Sequence, residues 1–399
     1  MSGPLSHLRI LDLSRVLAGP WAGQMLADLG AEVIKVEKPE GGDDTRAWGP
    51  PFAEGGESAY YLSANRGKRS VAIDMATAEG QELIRALAAK SDVVLENFKV
   101  GGLAKYGLDY AALKAVKPDL IYCSITGFGQ TGPYAARAGY DFLIQGMGGL
   151  MSLTGDAKGE PMKVGVALTD IFTGMYASVA VLAALAHRDR SGQGQHIDLA
   201  LLDVQVAVLA NQASNYLVGG MIPQRLGNSH PNIVPYQAFA TQDGHAILAV
   251  GNDGQFARFC AVAARPDLAE DCRFATNVER VRNRDILVPL LKDVMTTRST
   301  AAWMTALEAA GVPCGPINTL DQVFADPQVR HRSMVVSVPH AQAGHVDLVA
   351  NPIHLSETPI TYDRAPPLLG ADTTTVLTEL LGLSVAERDG LRNRGVIGG

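Results

Sequence analysis

Apolar segments of strand length and of helix length alternate through the first half of the chain. Leu8–Leu13 has the length of a buried strand, Trp21–Leu29 has helical spacing, and Glu32–Val36 is a second strand that ends at the acid Glu37. A strand, a helix and a further strand in this order predict a βαβ unit.

The same alternation continues beyond this unit. A helix capped by Thr77 is followed by two buried strands, Asp92–Leu95 and Leu120–Ile125, and a short strand follows later at His196–Leu199. Buried strands separated by helices are typical of a parallel sheet that has helices on both faces. The pattern therefore predicts an α/β fold with a Rossmann-like, doubly wound large domain.

The residue composition and the pattern of apolar positions change after residue 218. A stretch rich in glycine and proline precedes an apparent hairpin at Tyr236–Val250, and two helical runs follow at Gln255–Ala263 and Arg284–Met295. The loop Gly311–Pro316 contains two prolines and two glycines, which end any helix. We therefore expect a large domain over 1–218, a smaller α+β domain over 219–325, and a segment over 326–399 that returns to the large domain.

One acidic residue, Asp170, lies inside the apolar and small-residue run Val164–Tyr176. An ionised carboxylate is costly to bury without a partner, so such a residue usually either caps a helix or takes part in catalysis. Asp is a preferred N-cap, and Ile171–His187 is predicted to be a long apolar helix. The nearby glycines, including Gly174, favour a role in catalysis, because they leave space for a ligand beside the carboxylate.

Composition excludes several classes of protein. The chain has 399 residues, a net charge of -7 and 47% hydrophobic residues, which predicts a globular protein without the basic surface that nucleic acids require. The four cysteines and nine histidines lack metal-ligand spacing, so no metal site is expected. The longest apolar run, Met175–Ala186, is shorter than the roughly 20 residues of a membrane span. We expect no membrane partner and a cytoplasmic location.

The segment Gly127–Gly132 matches the GxGxxG pattern of dinucleotide-binding proteins. That pattern requires a helix at its third glycine, whereas Pro133 and a loop follow here. An NAD-dependent enzyme is therefore a distant alternative. Sequence patterns of metal hydrolases and serine hydrolases are absent from the chain.

Several motifs in a fixed order carry a family resemblance over nearly the whole chain. They are Arg15–Pro20, Gly30–Glu37, Asn65–Ser70, Glu96–Phe98, Gly127–Pro133 and Thr169-Asp170. With these motifs the chain resembles the class III CoA-transferases, which include the formyl-CoA, carnitine and bile-acid-inducible transferases. Asp43–Arg46, Trp48–Phe52, Ile233–Phe239 and Pro366–Gly370 resemble the branch that uses succinyl-CoA and dicarboxylates such as glutarate.

The resemblance implies that Asp170 is the nucleophile. It would form an anhydride with the donor acyl group and then a thioester with CoA, and CoA would finally pass to an acceptor acid. The resemblance also implies an interlocked homodimer. The residues that it implies in contact with the CoA of the acyl-CoA substrate are Val16, Leu17, Ala18, Lys38, Ile73, Asp74, Met75, Asn97, Phe98, Lys105, Arg137, Gly139 and Tyr140.

Two alternatives stay open within this resemblance. Enzymes of the α-methylacyl-CoA racemase type keep the aspartate but use a histidine where this chain has Tyr140, and a phenol, with an ordinary pKa of about 10, is a poor base at neutral pH. A non-catalytic CoA-binding protein would be favoured if Asp170 were only a cap. Leu17 replaces the glutamine of formyl-CoA transferases, which disfavours formate or oxalate, and Gly251–Gly254 is the candidate for an active-site lid.

Overall fold

The computed structural model describes residues 3–399, which form two compact units. The large unit contains residues up to 150, then 164–213 and 327–399, and the smaller unit contains residues 151–163 and 214–326. The sequence interpretation leaves 151–163 in the first domain, whereas in the structure this segment groups with the smaller unit. The domain limits given above stay predictions.

The strands found in the described residues are β1 (Arg9–Asp12), β2 (Glu32–Glu37), β3 (Lys68–Ala72), β4 (Val93–Glu96), β5 (Ile121–Thr126), β6 (His196–Ala200), β7 (Tyr236–Ala240), β8 (His245–Ala249), β9 (Cys314–Pro316), β10 (Val335–His340) and β11 (Gly344–Val349). The α-helices are α1 (Ala18–Asp28), α2 (Ala59–Ser63), α3 (Ala78–Ala89), α4 (Tyr110–Val116), α5 (Asp141–Met147), α6 (Leu150–Leu153), α7 (Leu168–Ser191), α8 (Leu201–Ala207), α9 (Ala210–Gly219), α10 (Asp253–Val262), α11 (Pro266–Glu270), α12 (Asn277–Arg282), α13 (Arg284–Met295), α14 (Thr300–Ala309), α15 (Leu320–Ala325), α16 (Pro327–His331), α17 (Thr373–Leu381) and α18 (Val385–Asn393).

The large unit is built on a six-stranded sheet in the order β3-β2-β1-β4-β5-β6, and every neighbouring pair is parallel. This confirms the predicted α/β fold. In a sheet of this order the connections leave β1 in one direction and β4 in the other. Ligands of such folds bind at that reversal, outside the carboxyl ends of the strands.

Helices cover both faces of this sheet. On one face Leu11, Ile34 and Val94 pack with side chains of α3, α4, α17 and α18, and on the other Ile10 and Val33 pack with α1, α7 and α8. Adjacent residues of one strand, such as Ile10 and Leu11, therefore belong to opposite cores. Because both faces are buried, strands such as β4 and β5 are largely apolar, which is why runs without polar alternation predicted them correctly. The sequence interpretation contains no strand at β3, because Lys68, Arg69 and Ser70 interrupt the apolar pattern there.

The C-terminal segment completes the edge of the sheet at β3. The Asp372 carboxylate accepts a hydrogen bond from the Ser70 N–H at 3.0 Å, and the Thr373 hydroxyl accepts one from the Ala72 N–H at 3.0 Å. Ile397 pairs with Ile73 as an isolated β-bridge. Residues far apart in sequence thus satisfy the backbone of an edge strand that would otherwise be exposed.

The smaller unit contains an antiparallel sheet in the order β7-β8-β9 with helices α10 to α14. The hairpin β7–β8 lies where the sequence pattern predicts it. The core of the smaller unit surrounds the fully buried Trp303, whose indole N–H donates to the Met295 carbonyl at 2.7 Å. In the segment Gly251–Gly254, the Asn252 side chain caps α10 by accepting from the Gln255 N–H. A lid role for this segment stays a prediction.

Helix α7 is the one helix in residues 3–399 that is long and apolar enough, by length and composition, to cross a membrane. Its buried residues include Ala177, Val181 and Ala184, which join the same core as α1. Packing against a parallel sheet on one side is the arrangement of a core helix.

Candidate active site

A cavity of about 170 Å³ lies at the carboxyl ends of β1, β4 and β5, next to the first turn of α7. This is the position that a doubly wound sheet favours for a ligand. The cavity brings together eight of the residues selected from the sequence, which are Val16, Leu17, Ala18, Asn97, Phe98, Gly139, Tyr140 and Asp170.

The structure excludes the interpretation of Asp170 as an N-cap. Helix α7 begins at Leu168, so Asp170 is its third residue, and the N-cap position is occupied by Ala167, which has no capping side chain. The helix also extends beyond the predicted end at His187, to Ser191. The sequence interpretation begins this helix at Ile171, three residues too late, because an Asp directly before an apolar run has the sequence pattern of an N-cap.

The carboxylate of Asp170 is buried, with 9% of the residue exposed, and it borders the cavity. Within residues 3–399 no cation or hydrogen-bond donor contacts it. Burial, together with the negative charge of Asp141, raises its pKa to about 7. At neutral pH a large share of the Asp170 side chains are therefore ionised, although the carboxylate is poorly solvated.

The loop between β1 and α1 forms another wall of the cavity. Val16 has φ of 72°, a left-handed conformation that is unfavourable for a β-branched residue. Its N–H donates to the Asp43 carboxylate at 3.3 Å. Asp43 is held in turn by the buried ammonium of Lys35 at 2.9 Å. The buried ion pair of Lys35 and Asp43 thus holds the strained loop at Val16 in place.

The ionised state of Asp43 is secured by its surroundings. Burial opposes ionisation, but Lys35 and the Thr45 N–H lower the pKa of Asp43 to about 2. A second buried pair, Lys68 with Asp12 at 2.9 Å, lies below the start of α1. Removing one partner of such a pair leaves an uncompensated buried charge, so these pairs define the geometry of the loop.

Asn97 joins two walls of the cavity. Its side-chain oxygen accepts from the Arg15 N–H at 2.9 Å, and its amide donates to the Arg15 carbonyl at 2.6 Å. The next residue, Phe98, lies under the Arg15 guanidinium, 5.2 Å from ring centre to guanidinium carbon. The polar atoms of Asn97 are thus engaged with the backbone of Arg15, which ties the loop after β4 to the loop after β1.

A second cavity of about 440 Å³ shares Arg15, Phe98 and Lys99 with the first. It contains the remaining selected residues except Arg137: Lys38, Ile73, Asp74, Met75 and Lys105. Four basic side chains line it, since Arg15 and Lys99 add to Lys38 and Lys105. Of its acids, Glu37 is paired with Arg46 and Asp43 with Lys35. Arg15 and Lys38 share the half-exposed Asp44 at 3.2 Å and 3.4 Å, whereas no ion pair engages Lys99 or Lys105 in residues 3–399.

Arg137 lies in the lining of neither cavity. Its guanidinium lies over the rings of Phe128 and Tyr134, 5.1 Å and 4.7 Å from the ring centres. A contact between Arg137 and CoA stays a prediction, and the contacts present here fix the loop after β5.

The GxGxxG segment forms a loop, and no helix starts at its third glycine. The first glycine, Gly127, approaches Gly139 so closely that an added Cβ would lie 2.6 Å from the Gly139 Cα. Both residues line the cavity. The glycine pair therefore brings the segment before α5 against the end of β5, and the geometry is not that of a dinucleotide fingerprint.

Sequence reasoning missed Tyr60 of α2, Arg15, Lys99 and Asp141. Burial and the carboxylates of Asp170, Asp141 and Asp43 raise the pKa of Tyr60 to about 12, so its hydroxyl remains a donor at neutral pH. Nothing in the local pattern distinguishes Tyr60 from the adjacent core residue Tyr61. Among residues 3–399 no group of three His, Cys, Asp or Glu side chains is arranged to hold a metal ion.

Comparison with known proteins gives a consistent result. A family model described as CoA-transferase family III matches residues 5–373. The chain is 55% identical to a succinate–glutarate CoA-transferase of Agrobacterium fabrum, over 94% of this chain and 96% of that protein. It is 46% identical to the human succinyl-CoA:glutarate CoA-transferase, over 95% of this chain and 86% of that protein.

Solved structures agree with these relatives. A crystal structure of a CaiB/BaiF family protein from Brucella suis has a TM-score of 0.85 and 52% identity, and the match covers 95% of this chain and all of that one. The sequence profile, the relatives and the fold lead to one conclusion. The chain belongs to family III of the CoA-transferases and is an enzyme that transfers CoA.

Proposed function

We propose that this enzyme transfers CoA from succinyl-CoA to glutarate or a similar dicarboxylate, with Asp170 as the nucleophile. The observation that carries the proposal is a buried carboxylate without a partner at the edge of a cavity, next to a second cavity lined by four cations. Relatives named as succinate–glutarate and succinyl-CoA:glutarate transferases support the choice of substrates.

The division of the site into two cavities suits the two ends of an acyl-CoA. The phosphates of CoA require cations, and Arg15, Lys38, Lys99 and Lys105 line the larger cavity. The thioester would then extend into the smaller cavity, past Arg15 and Phe98, towards Asp170. The second carboxylate of a dicarboxylic acid also requires a cation, and Arg15 and Lys99 line this smaller cavity as well.

The reaction needs no external energy, because one thioester is exchanged for another. An oxygen of Asp170 attacks the succinyl carbonyl carbon, the C–S bond breaks, and CoA leaves as a thiolate. The thiolate attacks the aspartyl carbonyl of the resulting anhydride, which releases succinate. The acceptor carboxylate then attacks this aspartyl thioester and displaces CoA, and the thiolate finally takes the acceptor's acyl group and frees Asp170.

Each of these additions places negative charge on a carbonyl oxygen. The first turn of α1, which starts at Ala18 beside the cavity, leaves backbone N–H groups without partners inside the helix. Donors of this kind, together with the positive end of the helix, stabilise an oxyanion.

The test is the mass of the protein and of its peptides after incubation with succinyl-CoA, with hydroxylamine added to trap an activated carboxylate. We expect a modification on Asp170 in the wild type and none in Asp170→Asn. Asp189→Asn is the matched control, because Asp189 is an exposed acid of the same helix. This control should be modified at Asp170 like the wild type.

The result that contradicts the proposal is the absence of any adduct combined with exchange of α-protons in deuterated water, which would favour a racemase. Given an adduct, a panel of dicarboxylates and monocarboxylates identifies the acceptor. The interlocked homodimer and the cytoplasmic location remain predictions.

A further inference from the structure

The first turn of α7 is capped by a residue of another helix. Its own N-cap, Ala167, has no side chain that can accept a hydrogen bond. Instead, one carboxylate oxygen of Asp141, at the start of α5, accepts from the Thr169 N–H at 2.9 Å and lies 3.4 Å from the Asp170 N–H. These two N–H groups are among those that a helix start leaves without partners.

The second oxygen of Asp141 is also engaged. It accepts from the side-chain amide of Gln145, one turn later on α5, at 2.7 Å. The oxygen of the same amide accepts from the Val164 N–H at 2.9 Å. Gln145 is fully buried. The Asp141 carboxylate is therefore fixed on both sides, and its orientation towards α7 is determined.

A further buried contact holds the same turn of α7. The Thr169 hydroxyl donates to the side-chain oxygen of Gln205 on α8 at 2.7 Å, and both residues are fully buried. The residue before Asp170 is thus held through its N–H by α5 and through its side chain by α8. Asp170 itself is held through its backbone, and its carboxylate stays free.

We propose that Asp141 is a positioning residue for Asp170, which caps the first turn of α7 from a neighbouring helix and places a fixed negative charge beside the nucleophile. The inference rests on the proposed function for its catalytic meaning. The capping geometry leaves the carboxylate of Asp170 as the free end of an ordered turn, so its direction is set without a contact that would block attack on a thioester.

The charge of Asp141 has its own effect. After burial, it is the second cause that raises the pKa of Asp170 to about 7. The other titratable groups around Asp170 are Tyr60 of α2, Tyr140 before α5, and the cations Arg15 and Lys99 across the cavity. A more basic carboxylate is a stronger nucleophile once it is ionised, so the same contact orders and activates it.

Three variants separate the cap from the charge. Asp141→Ala removes both. Asp141→Asn keeps an acceptor for the Thr169 N–H but turns an amide N–H₂ towards the Gln145 amide, donor against donor. Asp141→Asn combined with Gln145→Glu restores both of these contacts, because the introduced carboxylate accepts from the new amide and from the Val164 N–H; it loses only the long 3.4 Å hydrogen bond that the Gln145 amide donates to the Val166 carbonyl. This double variant keeps the cap and moves the charge one turn away from Asp170.

Two measurements are made on each variant: the rate of adduct formation at Asp170 with succinyl-CoA from pH 5 to 9, and hydrogen exchange of the amides at 168–171. For Asp141→Ala we expect faster exchange and a rate lower by about tenfold to a hundredfold, because small misplacement of a reacting group costs on that order. The double variant should restore slow exchange and much of the rate, with the acidic limb of the profile moved to lower pH.

The inference is overturned if Asp141→Ala leaves both exchange and rate unchanged, or if the double variant has the pH profile of the wild type. A wild type that forms no adduct at Asp170 contradicts the proposed function instead. Hydrogen exchange then decides the capping role by itself, since it does not depend on catalysis.

Discussion

Asp170 is distinguished from most buried carboxylates of the large unit by having no cation. Asp12 is paired with Lys68, Asp28 with Arg66, and Asp43 with Lys35, each at a distance below 3 Å. These pairs are structural, because each offsets the cost of burial on both sides. An ionised Asp170 has no such compensation, so the folded enzyme contains a destabilising group at the position of the proposed nucleophile.

Replacement of Asp170 by Asn should therefore stabilise the protein at alkaline pH. Because the folded-state pKa of about 7 lies above the ordinary value of 3.8, ionisation lowers the stability of the wild type progressively as pH rises from about 4 to 7. At pH 8 we expect Asp170→Asn to unfold with a free energy higher by on the order of 4 kcal/mol, with the difference shrinking towards pH 4. Urea unfolding at both pH values measures this, and a difference independent of pH would contradict it.

At the scale of elements, the site depends on the close packing of α1 against α7. Gly174 allows this approach, since a Cβ at that position would lie 2.7 Å from the Ala18 carbonyl oxygen and 3.0 Å from the Trp21 side chain. The sequence interpretation was that Gly174 leaves space for a ligand, and the structure shows that this is wrong. Its space is filled by α1, whose first turn lines the cavity.

Gly174→Ala should push α1 away from α7 and so displace the first turns of both helices, which border the smaller cavity. We expect a loss of stability of about 1–3 kcal/mol, as for other overpacked cores, and a lower rate of CoA transfer. Gly165→Ala is the control, because a Cβ there meets nothing within 4 Å and the backbone is not left-handed. Thermal unfolding and steady-state rates of both variants test this, and equal behaviour of the two would show that the contact is unimportant.

At the scale of the whole molecule, the chain returns to its starting domain to finish it. Val376, Leu377, Val396 and Ile397 complete the core on one face of the sheet, although they are about 300 residues away from β3 in sequence. The Thr373 hydroxyl accepts from the Ala72 N–H and donates to the Gly370 carbonyl at 2.8 Å. Ala72 precedes Ile73, which lines the larger cavity, so the C-terminal segment supports a wall of this cavity without lining it.

Thr373→Val keeps the shape of this contact and removes both hydrogen bonds. The buried Ala72 N–H then has no acceptor, which should cost about 1–3 kcal/mol of stability. Thr375→Val is the matched control, since Thr375 is exposed in the same helix. Thermal unfolding of the two variants should differ by several degrees, and an unchanged midpoint for Thr373→Val would contradict the role of the C-terminal segment.

Local patterns were sufficient for much of the fold. Strands buried on both faces are continuous apolar runs, and hairpins and caps have characteristic residues, so the parallel sheet, the β7–β8 hairpin and the Thr77 cap of α3 were all predicted correctly. The family, too, follows from short motifs in a fixed order. These properties depend on neighbours in sequence, which a single chain displays directly.

The sequence by itself thus determined the class of fold and the family, and it singled out Asp170 as the candidate nucleophile. Only the tertiary structure decided that Asp170 lies inside the first turn of α7 and that Asp141, 29 residues earlier, caps that turn. It also revealed that Lys35 and Asp43 fix the strained loop at Val16. The physical reason is that the pKa of a carboxylate and the direction of its attack depend on groups that are close in space, and these groups come from separate strands and helices.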